Sequence, residues 1–167
     1  MKKETVRLTR GALIAALYVL LTLLSSSLGL DKYAVQLRLS EALCILAVVF
    51  PEAVPGLFIG CILANSLTSA LLPDVIFGSV ATLIGAIGAR LLCHLPERLI
   101  WVATLPTVIS NAIIVPLVLK YAYEVEELIP YMMLTVAVGE FLAATLLGTL
   151  LYFSLKRAKL FKINKQF

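Results

Sequence analysis

Glu140 lies inside VAVGEFLAATLLGTLLYF, an otherwise apolar run of helix length. A carboxylate at that depth in a bilayer costs about 2.5–3.5 kcal/mol on insertion scales, and such residues face a cavity or a partner. The chemistry open to it is acceptance of two hydrogen bonds, or proton exchange. Two amides complement it. At 1.5 Å per residue, Asn65 falls roughly 10 Å below the outer end of its helix, Asn111 roughly 12 Å and Glu140 roughly 14 Å. Three polar side chains at comparable depth on three helices predict one outward-opening cavity. The competing reading is that each amide joins helices in lipid.

A second group is VQLRLSEAL, where Gln36, Arg38, Ser40 and Glu41 alternate with Val35, Leu37 and Leu39. Such alternation fits an extended loop over the cavity with its polar groups facing one way. It also fits a helix cap with a surface Arg–Glu pair. Asp74 follows Pro73 at a turn and is expected to cap the fourth helix, while it and Phe77 could also line the mouth. Tyr121, Tyr123 and Tyr131 suit an interfacial belt or a stacking surface for a flat ligand. The lone His94 is expected at the opposite, cytoplasmic end.

The elements that must position these groups are membrane helices. Apolar residues make up 61% of the 167 and charged residues 14%, against about 25% charged in soluble domains. The mean hydropathy is +1.02. The prediction is an all-α integral membrane protein, one domain over 1–167, with six helices. They run from about Thr9 to Leu28, Leu39 to Phe50, Pro55 to Leu72, Asp74 to Cys93, Ile100 to Leu119 and Tyr131 to Leu155. The second is too short to span untilted, and Pro106 and Pro116 are expected to kink the fifth. The basic, apolar, then small start imitates a signal peptide; a retained first helix is expected, because every later segment also belongs to the membrane.

Eleven of the 14 Lys and Arg residues fall on one side of this arrangement. Lys2, Lys3, Arg7, Arg10, Arg90, Arg98, Lys156, Arg157, Lys159, Lys162 and Lys165 lie on the side of both termini, and Lys32, Arg38 and Lys120 on the other. The bias predicts cytoplasmic N- and C-termini. Asp31, Glu41, Asp74, Glu124, Glu126 and Glu127 then make the outer mouth acidic. The net charge of +4 belongs to these helix ends and argues against nucleic acid. Cys44, Cys61 and Cys93 fit no metal spacing and read as small core residues. Small residues recur at helical spacing, including Gly56, Gly60 and Ala64, which predicts close helix packing. Ala12 and Ala16 on the first helix either pack internally or present a flat face to another protein. No nucleotide-hydrolysing or hydrolase motif is present, nor an internal repeat. An intramembrane enzyme using Glu140 lacks a second catalytic group. Uphill solute movement would therefore need energy from another chain.

The segments VQLRLSEALCILAVVFPEAVPGLFIGCILANSL and PDVIFGSVATLIGA resemble the QueT-type family, S-components of energy-coupling-factor (ECF) transporters linked to queuosine-precursor uptake. The resemblance covers nearly the whole chain. It implies a prokaryotic cell-membrane protein, not an enzyme, that captures a 7-deazaguanine such as preQ1, preQ0 or queuine from outside. It implies docking through Ala12 and Ala16 onto a transmembrane coupling subunit joined to two ATPases, which use ATP; this chain itself needs no cofactor and no metal. A 7-deazaguanine presents N1–H and an exocyclic amine side by side, which a carboxylate can accept together. Glu140 is the first choice for that edge and Glu41 the second. Asn111, Asn65, Gln36 or Arg38 would donate to O6, Phe77 or a tyrosine would stack on the ring, and Asp74 would belong to the acidic mouth. An S-component for another vitamin or purine, and a self-sufficient homo-oligomeric carrier, are the alternatives.

Overall fold

A computed structural model describes residues 3–30, 36–68 and 70–160. Asp31, Lys32 and Val35 of the outer loop, and Lys2, Lys162 and Lys165 near the termini, lie outside the described residues. Six helical segments follow one another: α1 Lys3–Ser27, α2 Leu39–Val49, α3 Ala53–Leu67, α4 Leu72–Leu91, α5 Glu97–Tyr121 and α6 Ile129–Arg157. Four of them, α1, α4, α5 and α6, are long and apolar enough to cross a membrane, whereas α2 and α3 are shorter apolar helices. Among the described residues there is no strand.

The short second helix has a physical explanation. Residues 40–48 are all buried, so α2 is wrapped by other helices and need not match the bilayer by itself. It begins as a 3-10 helix, Leu39–Ile45, and only Leu46–Val49 is α-helical. A 3-10 turn rises about 2.0 Å per residue, against 1.5 Å in an α-helix, which lengthens the segment. The alternation read across Gln36 to Ser40 stops early. Arg38 is extended, with φ −98° and ψ 107°, but helix starts at Leu39, and Ser40 and Glu41 are both buried.

Glycines set the helix spacing. A Cβ on Gly56 would lie 2.6 Å from the Gly11 carbonyl oxygen, and one on Gly60 would lie 2.9 Å from Tyr18 Cβ. The predicted small stripe of α3 thus packs on α1. On α4, a Cβ on Gly85 would meet Thr107 at 2.6 Å and one on Gly88 would meet Pro106 at 2.4 Å, which fixes α5 alongside. Where lipid removes most of the hydrophobic drive between helices, this close approach is the main packing gain.

Three details differ from expectation. Asp74 does not cap α4. The helix begins at Leu72 after an extended Leu71, with Pro73 in its first turn, because the proline ring is already set for helix and its missing N–H costs nothing there. Asp74 falls in the first turn, where the helix dipole favours an acid, and its carboxylate turns to other partners. Pro106 marks the change from a 3-10 stretch, Glu97–Thr104, to the α-helical Leu105–Tyr121, while Pro116 does lie within the α-helix. Finally, α6 is interrupted. Its α-helix ends at Glu140, Phe141–Leu147 form a π-helix, and α-helix resumes at Gly148.

Contacts at the helix ends give the up-and-down order. Arg90 Nη1 donates to the Val48 carbonyl at 3.1 Å and Lys156 pairs with Glu97, at one end. At the other, the Leu39 amide donates to Ser25 Oγ at 3.0 Å and Tyr123 meets Asp74. The start of α1 and the end of α6 lie together at the first, basic end, where Arg7, Arg10 and Lys159 line one cleft.

Candidate binding site

Glu41 is 1% exposed, yet among the described residues no cation forms an ion pair with it. It is held by neutral donors instead. Tyr18 Oη and Thr82 Oγ1, the latter at 3.3 Å, donate to Oε1, and Cys44 Sγ donates to Oε2 at 3.2 Å. Thr82 also reaches Cys61 Sγ at 3.5 Å, and Asn65 Nδ2 reaches the same sulfur at 3.6 Å. Buried polar groups demand such partners, because an unmade bond costs the full desolvation of the group. The stiff 3-10 turn places Ser40, Glu41 and Cys44 inward together.

From Asn65 the polar path continues to the acidic end of the bundle. Asn65 Nδ2 donates to the Asp74 carbonyl at 3.3 Å. The Asp74 carboxylate sits 3.7 Å from Arg38 Nη2 and accepts from Tyr123 Oη at 3.3 Å. Tyr123 Oη in turn accepts from the Leu71 amide at 3.1 Å. Partial burial is the main cause that raises the Tyr123 phenol above its usual range; the Leu71 amide opposes this, and the neighbouring Asp74 charge adds to it. Gly78 sits between these groups. A Cβ there would lie 3.1 Å from Asn65 Nδ2, 3.3 Å from Asp74 Oδ1 and 4.0 Å from Arg38 Nη1.

Glu140 and Asn111 form the third part. Each is 3% exposed. Asn111 lies within reach of the Glu140 carboxyl. Even so, Glu140 Oε2 and Asn111 Nδ2 have no hydrogen-bond partner among the described residues. One is an acceptor and the other a donor. The π-helix begins immediately after Glu140 and packs against the 3-10 turn that carries Glu41. A Cβ on Gly148, the first residue after the π-helix, would lie 3.1 Å from the Ala42 carbonyl oxygen of the 3-10 turn. Such π segments occur often at functional sites.

The fold therefore brings together six of the eight predicted ligand-binding residues: Glu140, Asn111, Asn65, Glu41, Arg38 and Asp74. Gln36 is partly buried just before α2. Phe77 is 52% exposed, outside the buried stripe of α4, so it does not join the cluster. Of the three tyrosines expected at the mouth, only Tyr123 meets it; Tyr121 is 76% and Tyr131 51% exposed. Ala12 and Ala16 are exposed on α1, whereas Ala15 is buried against α3. Tyr18 was not among the expected site residues, and Thr82 was expected only in the small-residue stripe of α4. For Tyr18 a signal was present: Tyr18, Thr22 and Ser25 recur at i, i+4 and i+7 on one face of α1.

The family model described as QueT transporter matches residues 8–157. The chain belongs to the QueT transporter family. That family consists of transporters, not enzymes, which agrees with a bundle of membrane helices. A curated relative, the queuosine precursor transporter QueT of Lactococcus lactis subsp. cremoris (strain MG1363), is 31% identical over 101 residues. The match spans 60% of this chain and 59% of the relative. No solved structure matches the chain.

Proposed function

We propose that this QueT-family chain is the solute-capturing S-component of an ECF-type importer, and that its solute is a queuosine precursor of the 7-deazaguanine class. The observation that carries the reading is the pair of buried, unpartnered atoms, Glu140 Oε2 and Asn111 Nδ2. A carboxylate oxygen and an amide N–H of that kind complement a guanine-like edge, in which N1–H donates beside an accepting O6. The exocyclic amine gives the carboxylate a second donor, and charge-assisted pairs of this kind are strong and geometrically selective. The name of the Lactococcus relative points to the same solute class.

Glu41 plays a supporting part in this reading, because both of its oxygens already accept from protein donors. Asn65, Arg38, Gln36 and Asp74 form the entrance. With Glu140, Asn111, Glu41 and Asn65 all nearly fully buried, an entering ligand displaces the Arg38–Asp74–Tyr123 contacts. Once the Arg38–Asp74 pair opens, the Asp74 carboxylate suits a solute such as preQ1, whose aminomethyl group is cationic. Glu140 then reads the heterocycle and Asp74 meets the cation.

The exposed Ala12 and Ala16 suit a flat docking face for a transmembrane coupling subunit, with ATP hydrolysis supplied by two cytoplasmic ATPases. Both termini lie inside the prokaryotic cell in this arrangement. The test is uptake into vesicles. With the coupling subunit and ATPases present, labelled preQ1 should accumulate only when ATP is supplied. Flux through vesicles holding this chain alone would overturn the S-component reading in favour of a self-sufficient carrier. Competition by an unrelated vitamin, with none by guanine or preQ1, would change the solute class.

A further inference from the structure

We propose that a cleft at the basic end of the bundle binds the phosphate of an anionic phospholipid. The cleft has a volume of about 440 Å3 and is lined chiefly by Arg7, Arg10, Phe50, Glu52, Lys159 and Leu160. It is built from three separated parts of the chain: the start of α1, the turn between α2 and α3, and the end of α6. It lies at the other end of the bundle from Asp74 and Tyr123, and so belongs to no part of the solute site.

Its charges are unequal. Arg10 is spoken for, since Nη1 sits 3.5 Å from Glu52 Oε1 and the guanidinium lies 4.9 Å from the centre of the Phe50 ring. Arg7 and Lys159 form no ion pair among the described residues, so of the cleft's lining residues two cations are left uncompensated. The wall carrying Glu52 is fixed, because a Cβ on Gly11 would lie 3.2 Å from the Glu52 carbonyl oxygen. Lys159 is held in a left-handed conformation, φ 56°, where glycine is the usual residue. Its amide donates to the Lys156 carbonyl at 3.0 Å, and the Leu160 amide to the Leu155 carbonyl at 3.2 Å, closing the end of α6. An unfavourable backbone conformation kept by a lysine puts its charge at this place.

The ligand chemistry follows from the charge and the lining. Two cations that share the cleft's lining with Val49, Phe50 and Leu160 suit an anion attached to an apolar body. Arg7 and Arg10 both precede the apolar run of α1, and basic residues next to a membrane span attract anionic lipid headgroups. A zwitterionic headgroup would leave the surplus charge uncompensated. The chain's own residues 161–167 carry Lys162 and Lys165, which have the wrong sign for this cleft.

Native mass spectrometry of the full chain, released from micelles doped with equal phosphatidylglycerol and phosphatidylcholine, tests the proposal. Phosphatidylglycerol should be retained about tenfold over phosphatidylcholine. Arg7→Gln with Lys159→Gln should reduce that preference to twofold or less, while Arg98→Gln, exposed at the same end, should leave it unchanged. Lys159→Gly removes the charge but suits the left-handed backbone, so it stays folded and should lose part of the preference. No preference in the wild type, an undiminished preference in the double variant, or equal losses in Arg98→Gln would overturn the proposal. Displacement of the lipid by millimolar inorganic phosphate would also overturn it, making the cleft a free-phosphate site.

Discussion

Tyr18, on α1, donates its hydroxyl to Glu41 Oε1, on α2, and is itself 0% exposed. The same face of α1 holds the start of α2 twice more. Thr22 Oγ1 donates to Ser40 Oγ at 2.9 Å, and Ser25 Oγ accepts from the Leu39 amide at 3.0 Å. One side of α1 therefore organises the 3-10 turn bearing Glu41, and its other side exposes Ala12 and Ala16. A single helix joins the polar interior to the proposed docking face.

Tyr18→Phe removes one donor from a buried carboxylate while Thr82 remains on the same oxygen. The expected loss of stability is about 1–2 kcal/mol, near the lower part of the range for a deprived buried acceptor. Thermal unfolding in detergent checks this. An unchanged midpoint would mean that the Tyr18–Glu41 bond contributes nothing net.

Gly78→Ala should weaken solute binding without preventing folding. The added methyl meets the Asn65 amide at 3.1 Å and the Asp74 carboxylate at 3.3 Å, so these side chains must shift by a few tenths of an ångström. A tenfold loss of affinity corresponds to about 1.4 kcal/mol, and we expect a loss of that order by calorimetric titration. Wild-type affinity in Gly78→Ala would place the solute path elsewhere.

The contact between Tyr123 and Asp74 should be insensitive to pH through the neutral range. Burial raises the Tyr123 phenol above its ordinary value of about 10. A raised folded value means the stabilisation is fully present below about pH 10 and is lost as pH climbs through that higher value. The stability difference between wild type and Tyr123→Phe should therefore be flat from pH 6 to 9 and shrink above 10. A difference that vanished between pH 6 and 8 would contradict the assignment.

Much of this was legible in the sequence, and the reasons are physical. Glu140 and the two amides stood out because polar groups are expensive in lipid, and the small stripe of α3 because only small residues permit close helix approach. The irregular helices were not legible. Nothing local in FLAATLL distinguishes a π from an α turn, and the segment packs against the Glu41 turn, a neighbour far away in sequence. Phe77 was misplaced because rotation about a helix axis depends on which neighbours surround it, and Asp74 was read as a cap because Pro73 starts the helix earlier than the turn signal implied.

Asn111→Leu should separate stability from binding. Among the described residues Asn111 Nδ2 is buried with no hydrogen bond of good geometry, and an unsatisfied donor costs about 1–3 kcal/mol. The ligand-free variant should therefore match or exceed wild-type stability while binding a 7-deazaguanine at least tenfold more weakly. Destabilisation together with intact binding would make Asn111 a packing residue.

The most direct measurement is calorimetric titration of the purified chain with preQ1, queuine and guanine, repeated on Glu140→Gln. A charge-assisted hydrogen bond contributes about 1.5–3 kcal/mol, so the account predicts tight binding of a deazaguanine by wild type and a loss of roughly 10–100-fold in the variant. Tight binding that Glu140→Gln leaves unchanged would contradict it, because the unpartnered carboxylate oxygen would then not be what reads the solute.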